Sequence, residues 1–232
     1  MKPRLVLFDI DGTLLTAHGS PKIAMGRVLL RRYPDFNFDR DFDFSGRTDP
    51  EIIEYLLEYD NREVSDALIA DILREFCIEL DIELAQGEKP ELHPGVVELL
   101  TKLDAMPDIS LGLVTGNVAE GARIKLKAAS LDTYFPVGGF GDDSKYRDDL
   151  PPFALERAEK YYGKKFPGMN TWIIGDSIHD IRCAQNNRLR CLAVCTGWTS
   201  RENLIKENPE YIEDDLSRID HIMNLIYDGA QK

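Results

Sequence analysis

Leu5-Val6-Leu7-Phe8 is an uninterrupted apolar run rich in strand formers, and Asp9-Ile10-Asp11-Gly12-Thr13-Leu14 follows it at once. A run without polar alternation is the pattern of a strand buried on both faces, which calls for helices on either side of a parallel sheet. The strand gives way to two carboxylates one residue apart and then to a glycine, free to take backbone angles other residues resist. In open parallel sheets ligands sit outside the carboxyl ends of the strands. Asp9 and Asp11 therefore stand where a site belongs, although Asp and Gly are also ordinary turn and capping residues.

The rest of the chain supplies the elements such a sheet needs. Strand patterns are expected at 109–115, 137–140, 171–175, 192–194 and around Ile212, alternating with helices at 96–103, 152–162, 179–186 and 217–227. Asn187 is expected to end the 179–186 helix in a left-handed turn. Between the first strand and this series lie three helical patterns. Ser20-Pro21 opens one to about Tyr33, with Ser20 as N-cap, and Asp49-Pro50 opens a second to about Tyr59. Ser65 opens a third, whose Leu68, Ile72, Phe76 and Leu80 recur every four residues. Residues 34–47 read as a loop carrying Phe36, Phe38, Phe42 and Phe44, and 86–90 reads as a return linker. The expected organisation is a core of 1–15 and 91–232, with a helical insertion at 16–90.

Charge narrows the partners. Lys plus Arg number 28 against 41 Asp plus Glu, a net charge of −13, which speaks against a phosphate-backbone partner such as nucleic acid. No stretch approaches the ~18 apolar residues a bilayer span needs, and the N-terminus lacks a signal-peptide core and cleavage site. Cys77, Cys183, Cys191 and Cys195 form no CxxC pair, so all four are expected as reduced thiols in a cytoplasmic protein with no membrane partner.

Two more strand ends carry polar groups. Val114-Thr115-Gly116-Asn117 offers a hydroxyl and turn amides to an anion, and Gly175-Asp176-Ser177-Ile178-His179-Asp180 places two aspartates within one helical turn. Each alone is compatible with a plain turn or helix cap, but three such ends in this order are not. The set resembles the haloacid dehalogenase-like hydrolase superfamily, in its phosphoglycolate phosphatase-like and β-phosphoglucomutase-like group. Asp9-x-Asp11 stands for its first motif, Thr115 for its second, and Gly-Asp176-x-x-x-Asp180 for its metal-binding fourth. That resemblance implies an α/β fold, a Rossmann-like parallel sheet with helices on both faces, and an inserted α-helical cap that selects the substrate.

Four carboxylates meeting at one point would repel by ~4 kcal/mol per pair at 4 Å and an effective dielectric near 20, so either some stay protonated or a cation sits among them. With oxygen donors only, Mg²⁺ fits best. The resemblance assigns it to Asp9, the Asp11 main-chain carbonyl, Asp176 and Asp180. It makes Asp9 the nucleophile toward a small phosphorylated metabolite and Asp11 the general acid and base. Thr115, Gly116, Asn117, Gly12 and Thr13 would surround the phosphoryl group. The family's lysine, expected just before the 152–162 helix, falls at or beside Asp149. Arg147 or Lys145 must then replace it, and Arg147, whose fork can bridge two oxygens, is favoured. In the insertion, Ser45-Gly46-Arg47-Thr48-Asp49 is the suggestive loop. Arg47 could bind the anionic remainder of a substrate, or be a solvated residue before a helix. His179 reads as a solvated helix-start residue, and His18, His93 and His221 as structural. Two rivals stay open: a sugar-phosphate mutase, and a non-catalytic binder of metal or phosphorylated ligand.

Overall fold

Strand β1 (Arg4–Phe8) is fully enclosed, with Leu5 and Leu7 in the apolar cluster on one side of the sheet and Val6 and Phe8 in the cluster on the other. This two-residue alternation is what a strand between two helical layers must show. The structure, a computed structural model, describes residues 2–228. After β1 come β2 (Leu15–Thr16), α1 (Ser20–Arg32), α2 (Asp49–Tyr59), α3 (Asp66–Gln86), β3 (Glu91–Leu92), α4 (Val96–Asp104), β4 (Ile109–Val114), α5 (Ala119–Ala128) and β5 (Gly138–Gly139). Then follow α6 (Leu150–Tyr162), β6 (Thr171–Gly175), α7 (Ile178–Asn186), β7 (Arg190–Val194), α8 (Arg201–Lys206), β8 (Tyr211–Glu213) and α9 (Ile219–Asp228).

The main sheet has the order β5-β4-β1-β6-β7-β8, and every neighbouring pair is parallel. The chain leaves β1 toward β4 and β5, then crosses to build β6, β7 and β8 on the other side. The direction of winding thus reverses at β1, and the carboxyl end of β1 opens into the crevice that reversal creates. One face is covered by α4, α5 and α9, whose Leu99, Ala122 and Ile222 share a cluster with Val6 and Phe8. The other is covered by α6, α7 and α8 through Ala154, Ile181 and Leu204. The fold is the α/β, Rossmann-like arrangement expected.

Helices α1 to α3 lie between β2 and β3, which pair antiparallel, Leu15 opposite Leu92 and Thr16 opposite Glu91. The outgoing and returning chains of the insertion are therefore zipped together at its base, a pairing the sequence did not announce. Helices α1 and α3 pack side by side, and Arg27, Arg31 and Arg32 meet Glu83, Glu79 and Glu75 along the seam. The 34–47 segment is a loop, as expected, fastened by aromatic packing: Phe42 stacks on Tyr55 of α2 with ring centroids 3.8 Å apart.

Local expectations at two helix ends need correction. Ser20 is the first residue of α1 and buried, and Gly19, at φ 81°, takes the N-cap because the chain turns there with a left-handed residue. Asn187 ends α7 at φ −94°; the left-handed residue is Arg188, at φ 55°. Helices α5 and α8 were not anticipated. The four cysteines are free thiols, all buried except the half-buried Cys195, and no described helix is long and apolar enough to cross a membrane.

Candidate active site

Sheet register brings the three polar strand ends together. Phe8 lies opposite Leu113 on one side and Ile174 on the other, so Asp9, Thr115 and Asp176 all leave the sheet at the same rim. Asp9 N–H extends the ladder to the Ile174 carbonyl at 2.9 Å, and Thr115 N–H reaches the Gly139 carbonyl at 3.1 Å. The carboxylates of Asp9, Asp176 and Asp180 each offer an oxygen within 4.8 Å of the others, and all three residues are buried.

That clustering perturbs their acidity. Burial pushes the Asp9 carboxyl up to about 6; the Arg147 guanidinium opposes the rise, while Asp180 and Asp11 reinforce it. Asp176 is raised well above the usual carboxylate range, first by burial and then by Asp180 and Asp9, with the Thr13 hydroxyl pulling the other way. Shifts of this origin at a sheet's switch point mark a place where the fold holds charge against its preference.

Arg147 is the counter-charge. It sits in a short 3-10 turn ahead of α6, its side chain 5% exposed, with Nη2 3.0 Å from Asp9 Oδ1 and also bonded to Asp180 Oδ1. Its Nη1 donates to the Gly46 carbonyl in the insertion at 3.1 Å, and its buried Nε meets no acceptor among the described residues. Lys145, its competitor at the sequence level, turns the other way and pairs with Glu54 of α2 at 2.9 Å. Asp149 faces Ser144.

Asp180 does two jobs besides lying in the cluster. One oxygen takes Arg147; the other accepts from Ser177 N–H at 3.0 Å and Ser177 Oγ at 2.6 Å, closing a capping box on α7. Thr13, expected to touch substrate, instead donates its buried hydroxyl to Asp176 Oδ1 at 2.7 Å. Gly12, at φ 84°, shapes the site: a Cβ there would overlap the Asp176 carboxylate, as one at Gly197 would. His179 is half-buried, and burial lowers its pKa.

Asp11 points away from the three-carboxylate cluster. Its Oδ2 accepts from Asn117 Nδ2 at 2.8 Å and from Lys125 Nζ at 2.6 Å. Asn117 also donates to Thr115 Oγ1 at 2.8 Å, leaving that hydroxyl's own proton available. Lys125 was missed at the sequence level. The signal was there: Val118, Ala122 and Lys125 fall on one helical stripe, so a lysine interrupts the buried face of α5.

A chamber of about 420 Å³ lies over these groups, between the sheet rim and the insertion. Asp9, Asp11, Thr115, Gly116, Asn117, Lys125, Arg147 and Asp176 form its floor. Met25, Phe42, Phe44, Ile52 and Phe76 contribute its apolar wall, and Trp198, 70% exposed, also lines it. Arg47 lines it too, held by Glu51 and, at 3.0 Å, by the Asp43 carbonyl. The insertion sits close on the core. Asp49 N–H donates to the Gly116 carbonyl at 2.8 Å, and Val118 N–H returns a bond to Asp49 Oδ2 at 2.8 Å. A Cβ on Gly116 would overlap the Arg47 carbonyl. Gly116→Ala is therefore expected to hold the insertion off the rim, raising KM by about tenfold with little change in melting temperature; steady-state kinetics and a thermal melt on one preparation check this.

The family model of the haloacid dehalogenase-like hydrolases matches residues 3–187. A phosphoglycolate phosphatase of Pseudomonas syringae pv. syringae is 27% identical over 225 residues, covering 94% of this chain and 78% of its own. A Bacillus mycoides protein named pyrophosphatase PpaX is 26% identical over 228 residues, covering 97% and 99%. In CbbY from Rhodobacter sphaeroides, solved in complex with phosphate, the same fold recurs with a TM-score of 0.77 at 21% identity, covering 94% of this chain and 96% of that one. With the family match running from β1 through α7, across every strand end just described, this chain belongs to the haloacid dehalogenase-like hydrolases.

Proposed function

We propose that this protein is a Mg²⁺-dependent phosphatase that hydrolyses a small phosphomonoester through an aspartyl-phosphate on Asp9. The observation that carries this is the placing of Asp9: buried at the switch point, beside Asp176, Asp180 and Arg147, on the floor of a chamber between the sheet rim and the insertion.

The donor set fits a hard divalent cation. Three buried carboxylates lie within 4.8 Å of one another, two of them with raised affinity for a proton, and glycines leave room around Asp176. Asp9, Asp176 and the Asp11 main-chain carbonyl would hold Mg²⁺, with Asp180 completing or orienting the set; when bound, the ion supplies neutralising charge to the phosphoryl oxygens.

The chain's own residues account for the remaining chemistry. Asp9 attacks phosphorus, and the bond from phosphorus to the leaving oxygen breaks as that oxygen takes a proton from the Asp11 carboxyl. The Asp11 carboxylate then takes a proton from water, whose oxygen displaces phosphate from Asp9 and restores its carboxylate. Arg147 steadies Asp9, and its unused Nε is a donor available to a phosphoryl oxygen. Thr115 Oγ1 and the Gly116 and Asn117 amides would hold the others. The insertion excludes water, and Arg47 binds an anionic remainder in competition with Glu51. A mostly apolar insertion wall favours a compact phosphomonoester over a sugar with many hydroxyls to satisfy.

Phosphate release from a panel of phosphorylated metabolites, phosphoglycolate included, tests this, with Asp9→Asn as blank. Turnover is expected with Mg²⁺, lost on adding EDTA and absent in Asp9→Asn. Isomerisation of a sugar phosphate with little phosphate release would replace the reading with the mutase, and EDTA-insensitive turnover in Asp9→Asn would overturn it.

A further inference from the structure

Lys125 is the one group on the chamber floor that no motif brought there. Its side chain is 3% exposed, on α5, two helical turns beyond Asn117. Keeping an ammonium out of water is unfavourable unless its donors are matched. Here they are matched by Asp11 Oδ2 and Asn117 Oδ1, both at 2.6 Å. Asn117 turns its amide nitrogen to the same Asp11 oxygen, so two donors from different elements converge on Oδ2. No protein donor meets Oδ1 among the described residues, although the carboxyl lines the chamber and is 41% exposed. Asp11 follows β1 in a turn and would otherwise be free to rotate. We propose that Lys125 is the positioning residue for Asp11: with Asn117 it pins one carboxyl oxygen from behind and presents the other to the leaving-group oxygen of the substrate.

This rests on the phosphatase reading above and assigns Lys125 no contact with phosphorus. In the first half-reaction the bond from Asp9 to phosphorus forms, the bond to the leaving oxygen breaks, and the proton passes from Asp11 Oδ1 to that oxygen. A leaving group that departs as a stable phenolate needs that proton little; an alkoxide needs it fully.

The test uses two probes of similar size on the full-length protein with Mg²⁺, 4-nitrophenyl phosphate and benzyl phosphate. It compares kcat/KM, which reports the first half-reaction. Lys125→Met is expected to lower kcat/KM by about 100-fold on benzyl phosphate and by under about tenfold on 4-nitrophenyl phosphate. In an Asp11→Asn background the same change adds less than about twofold on either probe, since the pinned group is gone. Equal losses on both probes, or an undiminished effect in Asp11→Asn, overturn the proposal while leaving the phosphatase reading in place. Wild-type protein inactive on both probes and on the metabolite panel would instead sink the phosphatase reading. If Lys125→Met does not fold, Lys125→Gln is read by the same ratio.

Discussion

Arg147→Ala is expected to lower kcat/KM by about 1,000-fold, the upper end of what one preorganised donor contributes at a charged centre. It is also expected to destabilise the fold by about 3–5 kcal/mol, because removing one partner strands the others. Arg147 is the nearest counter-charge to Asp9 and Asp180. Without it, three buried carboxylates face one another with only Thr13, Ser177 and the backbone to answer them. Arg147→Lys separates charge from geometry. A lysine restores a positive charge but offers one ammonium where the guanidinium reaches Asp9, Asp180 and the Gly46 carbonyl together. Most of the stability should return, while KM stays raised because the bond to the insertion is gone. Lys145→Ala, which only frees Glu54 at the surface, should leave turnover within about threefold of wild type. Denaturant titrations and steady-state kinetics on the three variants check this, and equal, mild losses for Arg147→Ala and Lys145→Ala would refute the assignment.

The same position shows what the sequence could and could not convey. Asp9, Asp176 and Thr115 were legible because each ends an apolar run, and a buried parallel strand fixes where its last residue emerges. Arg147 was legible only as one of two choices, since a loop sets no direction and the sequence does not show whether a side chain turns inward. The structure settles the direction through contacts distant in sequence, Gly46 and Asp180. The partner of Thr13 was not legible for a related reason: its hydroxyl donates to Asp176, and only the packed turn reveals that. Lys125 was lost with its helix. The segment 119–128 mixes glutamate, arginine and lysines with small residues, so its apolar stripe is narrow, and tertiary packing against α3 completes it.

Asp176→Asn is expected to remove Mg²⁺-dependent turnover and yet to stabilise the metal-free protein above neutral pH. The sign follows from the raised acidity of the cluster. Asp176 and Asp9 both hold a proton more tightly when folded than their ordinary value allows, Asp9 rising from 3.8 to about 6. A carboxyl raised in this way contributes stability that is fully present below the ordinary carboxylate range and is lost as pH climbs through the folded value. For Asp9 the loss runs from about pH 4 to pH 6 and beyond, and a shift of that size corresponds to roughly 3 kcal/mol. Asparagine at 176 keeps an oxygen for the Thr13 hydroxyl but carries no charge, so it lifts one source of repulsion from Asp9 and Asp180. The metal-free variant should melt above metal-free wild type at pH 8, by about 2–4 °C for each kcal/mol of repulsion lifted, with the gap narrowing as pH falls through about 6, where Asp9 takes up its proton. Adding Mg²⁺ should raise the wild-type melting temperature and leave the variant's nearly unchanged, because binding to the folded state stabilises only where the ligands remain. Calorimetric melts at pH 5 and pH 8, with and without Mg²⁺, measure all four quantities. A variant no more stable than wild type at pH 8 without Mg²⁺ would mean that the cluster is not held against charge repulsion, and that the fold does not rely on a cation there.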